Sequence, residues 1–211
     1  YGYSTDILGA LIEVVSGEPL DKFLQNRILD PLGMKDTHFY LPKNEKERLA
    51  VVYSPKGDGL EKAKGPSPMQ DQGAYIEGPR KSFSGGAGLL STARDYSIFL
   101  SMMLNKGTYN GKRIISPKTV EIMTVNHLKE GMFPWVGGTG FGLGFSVVMD
   151  LGLRGSLGSK GEYGWGGAYH STYWVDPEEE LVVVYFTQLI PDGGLDDHNK
   201  LRALVYQALV D

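Results

Sequence analysis

The sequence predicts an α/β chain of the α+β kind, with helices early and an antiparallel sheet late. Three observations carry this. Apolar residues recur at helical spacing over about residues 5–16 and 92–104. Short β-prone runs fill the last third, and Asp176-Pro177-Glu178-Glu179 between two of them is a turn sequence. A final helical stripe runs from about Asp197 to Leu209. Two regions are expected: 1–140, mainly helical with a long loop at 40–83, and 141–211, strands plus the terminal helix. Together they form part of one domain.

The chain of 211 residues is long enough to bury a real core. Its net charge of −4, without a basic cluster, speaks against a nucleic-acid surface. No apolar run reaches the ~20 residues of a spanning helix. With no cysteine, disulfides, thiolate metal sites and a cysteine nucleophile are excluded. The chain opens on Tyr1-Gly2-Tyr3, without Met or a signal sequence, and runs straight into a helix. It is expected to be the later part of a longer polypeptide rather than an independent folding unit.

The first helix is expected from Thr5 to Ser16, with Ile7, Leu8, Leu11, Ile12 and Val15 as its apolar face. Ser4, Thr5 and Asp6 are N-cap candidates and Gly17 is the stop. A second helix starts at Pro19 and ends near Ile28, with Leu20, Phe23, Leu24 and Ile28 inward; Asp30-Pro31-Leu32-Gly33-Met34 breaks it, and Met34 reads as core. Residues 40–83 are too long for a simple connection and suggest a lid-like loop or a surface excursion. Ser84-Gly85-Gly86-Ala87-Gly88-Leu89 lacks the Lys-Ser/Thr ending of a phosphate loop, so tight packing is its reading. Thr92 or Ser91 caps the next helix, with Asp95 at a capping-box position and Tyr96, Phe99, Leu100, Met103 and Leu104 as its stripe. A turn at 109–113 precedes a short helix from Ser116-Pro117 to Met123.

Residues 141–149 alternate as one strand, and 151–159 read as a glycine-rich loop. Strands follow at about 162–167, 172–175 and 181–188. The last, an almost continuous apolar run, implies burial on both faces. Pro191-Asp192-Gly193-Gly194 then breaks the pattern. The terminal helix turns Leu201, Leu204, Val205 and Leu209 to one side.

Tyr163-Gly164-Trp165-Gly166-Gly167-Ala168-Tyr169-His170 is the stretch most suited to a site. Its glycines allow close approach of a ligand or a second backbone, and its aromatics can wall a pocket. His38, His127, His170 and His198 form no pair at metal-ligand spacing, so no metal or other cofactor is expected. His198 reads as a surface residue, and His38 and His127 as surface or structural. No serine lies in Gly-x-Ser-x-Gly or Ser-x-x-Lys, so a serine nucleophile would have to lie outside this chain. Tyr1 becomes a candidate base only beside a cation, because a free phenol titrates near pH 10.

Several blocks together resemble the second half of the β-lactamase-like serine hydrolases. They are Tyr1-Gly2-Tyr3-Ser4-Thr5-Asp6, Asp30-Pro31-Leu32-Gly33-Met34, Ser84-Gly85-Gly86-Ala87-Gly88-Leu89, Gly142-Leu143-Gly144-Phe145, and Gly164-Trp165-Gly166-Gly167-Ala168 followed by Trp174-Val175-Asp176-Pro177. The family includes class C β-lactamases, D-Ala-D-Ala carboxypeptidases and β-lactamase-type carboxylesterases.

The resemblance implies a β-lactamase/transpeptidase-like fold, an antiparallel sheet flanked by helices plus a helical region. The N-terminal strands and the nucleophile helix with Ser-x-x-Lys are absent from this chain. It places the family's tyrosine at Tyr1 and an oxyanion-binding backbone N–H at Ala168. Trp165, Gly166, Gly167, Tyr169 and His170 fall at the substrate. Tyr3 stands where lactamases have Asn, and Trp165-Gly166-Gly167 where they have Lys-Thr-Gly or His-Thr-Gly. Both departures favour a carboxylesterase over a β-lactamase or carboxypeptidase; a non-catalytic binding protein on the same scaffold is the third reading. The implied partners are a small-molecule ester, β-lactam or peptide substrate and an N-terminal segment of the same protein, with no nucleic acid and no membrane span. A periplasmic or secreted location is compatible with the family.

Overall fold

A computed structural model describes residues 3–63, 80–129, 132, 136–192 and 194–210. Helix α1 covers Ser4–Ser16 and ends at Gly17, whose N–H still bonds the Glu13 carbonyl and whose left-handed φ of 71° turns the chain out of the helix. No side chain caps its start. Asp6 instead accepts a 2.6 Å bond from Ser84 Oγ. The expected apolar face is not buried: Ile7, Leu8, Leu11 and Val15 are all more than half exposed. The reason is that α1 docks through its smallest residue. Gly9 is its buried position, and a Cβ there would press on Leu20 and lie in contact with the backbone of Gly85. A Cβ at Gly85 would in turn overlap the Thr5 carbonyl oxygen. Gly85→Ala should therefore destabilise the protein by about 1–3 kcal/mol, because backbone has to move; a denaturant midpoint equal to wild type would refute this close packing.

Helix α2 (Leu20–Leu24) does not stop near Ile28. It passes through a π-helical turn, Gln25–Leu29, into α3 (Asp30–Leu32). Pro31 lies inside this continuous helical run and has no N–H to give to the preceding turn, and Gly33 ends the run in left-handed geometry. Leu29, Leu32 and Met34 are buried. A 3-10 turn (Lys43–Arg48) and a hairpin, β1 (Tyr53–Lys56) with β2 (Gly59–Lys62), occupy the start of the expected long loop; residues 64–79 lie outside the described residues.

Helix α4 (Ala93–Leu104) starts at Thr92, whose Oγ1 accepts the Asp95 N–H. The Asp95 carboxylate does not close a capping box. It is 4% exposed and accepts from the Asp36 N–H and the Thr37 hydroxyl, fastening the 35–37 loop to α4. A tight hairpin, β3 (Thr108–Tyr109) and β4 (Lys112–Arg113), leads to α5 (Pro117–Met123), with Ser116 as cap.

The expected strand at 141–149 is two strands, β5 (Thr139–Phe141) and β6 (Ser146–Val148). Gly144, at φ 101°, supplies the turn between them that alternation alone did not reveal. The expected loop after them contains α6 (Leu151–Arg154), capped by Asp150. Strands β7 (Tyr163–Gly167), β8 (Ser171–Asp176) and β9 (Leu181–Tyr185) complete one antiparallel sheet in the order β5-β6-β7-β8-β9. Every β9 residue is only half-buried, against the expectation of burial on both faces. Helix α7 (Asp197–Tyr206) ends three residues early, and Leu204 and Leu209 are exposed.

One core joins helices and sheet. Leu100, Met102 and Met103 of α4 meet Val147, Tyr163 and Val175 of the sheet, with Leu29, Leu32, Met34, Val120 and Phe145 around them. Side chains alternate along a strand. Tyr173 therefore packs toward Tyr96 of α4, ring centroids 4.8 Å apart, while Trp174 faces α7. There the Arg202 guanidinium lies 4.3 Å above the Trp174 ring. Arg202 also grips Glu162 with two bonds of 2.7 and 2.9 Å, and Arg154 adds a third at 3.0 Å. The Tyr206 hydroxyl stands 2.7 Å from Glu162 and 2.8 Å from Asp176, both carboxylates being almost fully buried. Burial first, then these two carboxylates, push the Tyr206 phenol well above its usual range.

Candidate active site

Strand β7 is paired unequally on its two sides. With β8 it pairs along its whole length, Tyr163 to Gly167. With β6 it pairs only at Tyr163 and Gly164. The Gly164 carbonyl, which accepts from Ser146 Oγ at 2.8 Å, shows that this residue turns its backbone toward β6. In an antiparallel ladder the direction repeats every second residue, so Gly166 turns its N–H and C=O the same way, beyond the end of β6. Gly166 and Gly167 are exposed and present no side chain to obstruct that open edge. Trp165, on the α4 side of the sheet by alternation, packs edge-on against Phe141 at 4.9 Å.

A three-residue turn, Ala168-Tyr169-His170, joins β7 to β8. Ala168 is exposed, and its N–H has no acceptor among the described residues. The Tyr169 carbonyl accepts the Leu189 N–H at 3.2 Å. Of the residues expected at the site, Trp165, Gly166, Gly167, Ala168, Tyr169 and His170 thus form one strand end and its turn. Tyr1 lies outside the described residues.

His170 is not placed as a substrate contact. Its ring is buried, Nε2 donating to Asp197 Oδ1 at 2.6 Å and Nδ1 facing Asp192 Oδ2 at 3.7 Å. Nor is His198 a surface residue: it is half-buried, donates from Nε2 to the His170 carbonyl at 3.1 Å, and stacks on the His170 ring at 4.0 Å. The histidines distant in sequence do meet in space, and His170, Asp197 and His198 have possible metal-ligand atoms within 4.8 Å of one another. The two rings, however, are inclined by only 13°. Lone pairs lie in the ring plane, so those of stacked imidazoles run side by side instead of converging on one ion. The cluster is a hydrogen-bonded clamp.

Asp197 was hidden in the sequence as an ordinary first-turn acid of a helix. Burial raises its carboxyl pKa, but the bonds from His170 and from the Tyr185 hydroxyl (3.0 Å) outweigh this, and the net shift is downward from 3.8. A carboxylate with a lowered native pKa stabilises the fold fully above its unfolded value, and that contribution is lost as pH falls through the native one. Stability should therefore decline below about pH 4, and Asp197→Asn should flatten that part of the curve; equal acid slopes for the two proteins would exclude Asp197 as a source.

The Beta-lactamase family model matches residues 2–207. Protein Rv1367c of Mycobacterium tuberculosis (strain ATCC 25618 / H37Rv) is 34% identical over 207 residues, covering 93% of this chain and 50% of the relative. Esterase EstB of Burkholderia gladioli is 28% identical over 92% of this chain and 50% of its own. Among solved structures, EstCE1, described as a hydrolase with promiscuous acyltransferase activity, superposes with a TM-score of 0.85 at 26% identity, over 98% of this chain and 55% of that one. The chain spans about half the length of the curated relatives it matches.

Proposed function

The chain belongs to the Beta-lactamase family, a family of serine hydrolases, and from that premise we propose that it is the C-terminal part of a carboxylesterase working through an acyl-enzyme. The observation that carries this reading is the open edge of β7, where Gly166 turns its backbone outward and the exposed Ala168 N–H has no acceptor among the described residues. An acyl group laid along this edge would place its carbonyl oxygen near that N–H. In the proposed reaction a serine supplied by the other part of the protein attacks the ester carbonyl. A lysine near that serine and Tyr1 accept its proton and deliver one to the departing alcohol. Water then releases the acid from the serine. The Ala168 N–H and the serine's own N–H hold the oxyanion.

The ester preference rests on what the strand lacks. Trp165-Gly166-Gly167 offers neither the cation nor the hydroxyl that would hold the carboxylate of a β-lactam or peptide. The esterase name of the Burkholderia relative agrees with this. The test compares a short-chain aryl ester with a chromogenic cephalosporin in the full-length protein. Ester turnover should dominate, and Tyr1→Phe should lower it by about 10²–10⁴-fold. Faster cephalosporin cleavage would overturn the ester assignment. Turnover of neither would favour a binding protein.

A further inference from the structure

We infer that His170 is a positioning residue: its bond to Asp197 ties the β7–β8 turn to α7 and so fixes the direction of the Ala168 N–H. The inference rests on the reading of Ala168 as an oxyanion donor. Its starting point is a backbone irregularity. His170 is the third residue of the turn and has φ 62°. Three-residue hairpin loops favour glycine at this left-handed position. A side chain there costs backbone energy, and such residues persist where their surroundings over-determine them.

The surroundings do so from several elements at once. The His170 N–H donates to the Gly167 carbonyl at 3.1 Å, closing the turn. Its carbonyl receives the His198 ring N–H, from α7, and the Thr187 hydroxyl, from the segment after β9. Its ring donates to Asp197, the first residue of α7, and Asp197 is held in turn by Tyr185 of β9. The clamp therefore grips one end of a three-residue turn whose other end, Ala168, is exposed, its N–H without an acceptor among the described residues. With the ring 6% exposed at its side chain and both nitrogens facing carboxylates, His170 has nothing left to offer a substrate. Glycine would satisfy the turn; only a long side chain with a donor reaches Asp197.

The test uses the full-length protein and an aryl ester. Asp197→Ala should lower kcat about ten- to hundredfold, the cost of misplacing a reacting group by ~1 Å, with KM within about twofold of wild type. Asp197→Asn keeps an oxygen acceptor for the ring and should restore most of kcat. His170→Asn tolerates the left-handed backbone but falls short of Asp197, so it should keep the wild-type circular dichroism and lose kcat as Asp197→Ala does. Combining the two should lower kcat no further than Asp197→Ala alone, because both remove the same His170–Asp197 bond. If Asp197→Ala does not fold, His170→Asn carries the test. Wild-type kcat in a folded variant, or a raised KM at constant kcat, would overturn the inference while leaving the hydrolase reading intact. A wild-type protein that neither turns over the ester nor takes up a serine-directed fluorophosphonate would overturn both.

Discussion

Arg202→Ala should destabilise the protein by about 3–5 kcal/mol, the usual result of stripping one partner from a buried charge network. Urea unfolding followed by tryptophan fluorescence measures it directly. Among the described residues, Glu162, almost fully buried, would keep only Arg154 as a cationic partner, and Trp174 would lose the guanidinium stacked on it. Arg202→Lys retains the charge but neither the two-pronged grip nor the planar stack, so it should recover only part of the loss. The exposed pair of Arg48 with Asp36 offers a contrast. Hydrogen bonding to Arg48 lowers the Asp36 pKa, yet the guanidinium side chain is 51% exposed, and deleting it should cost little. An Arg202→Ala midpoint indistinguishable from wild type would show that the network is decorative.

Ala168→Pro should reduce kcat by about 10²–10³, the range for removing one oxyanion-hole donor, with little change in KM. Proline has no N–H to give. Ala168→Ser changes the side chain but keeps the donor, so its loss should be far smaller. Equal losses in the two variants would point to the side chain and remove the backbone N–H from the proposed mechanism.

The sheet and most helices were legible because each has a local cause. Ser116-Pro117 is a cap followed by a first-turn proline, and α5 begins there. The late strands are short β-prone runs, and the Asp176-Pro177 turn between two of them is local chemistry. The misreadings share a different origin. Gly142 to Gly144 turn a hairpin inside a run whose hydrophobicity still alternates, so two strands looked like one. The stripe on α1 and the apolar run of β9 obey period and composition, but burial depends on what packs against them. At the candidate site, the glycines and aromatics of β7 could be read directly. The His170–Asp197 clamp could not, since it joins residues 27 apart through a turn and a helix end. Only His170 itself, in a tight turn between strands, carried a local hint.

Strand β9 runs Leu181-Val182-Val183-Val184-Tyr185 and, among the described residues, pairs only with β8. Its register is unbroken, and the five residues include no lysine, no proline and no bulge. These are the devices by which sheet proteins discourage foreign strands from adding to a border. The outer row of N–H and C=O groups is therefore open to pairing by a further strand, whether from the proposed N-terminal part of the same protein or from another molecule. Whether this chain stays dispersed at high concentration then depends on what shields that row, more than on a net charge of −4 spread over the remaining surface.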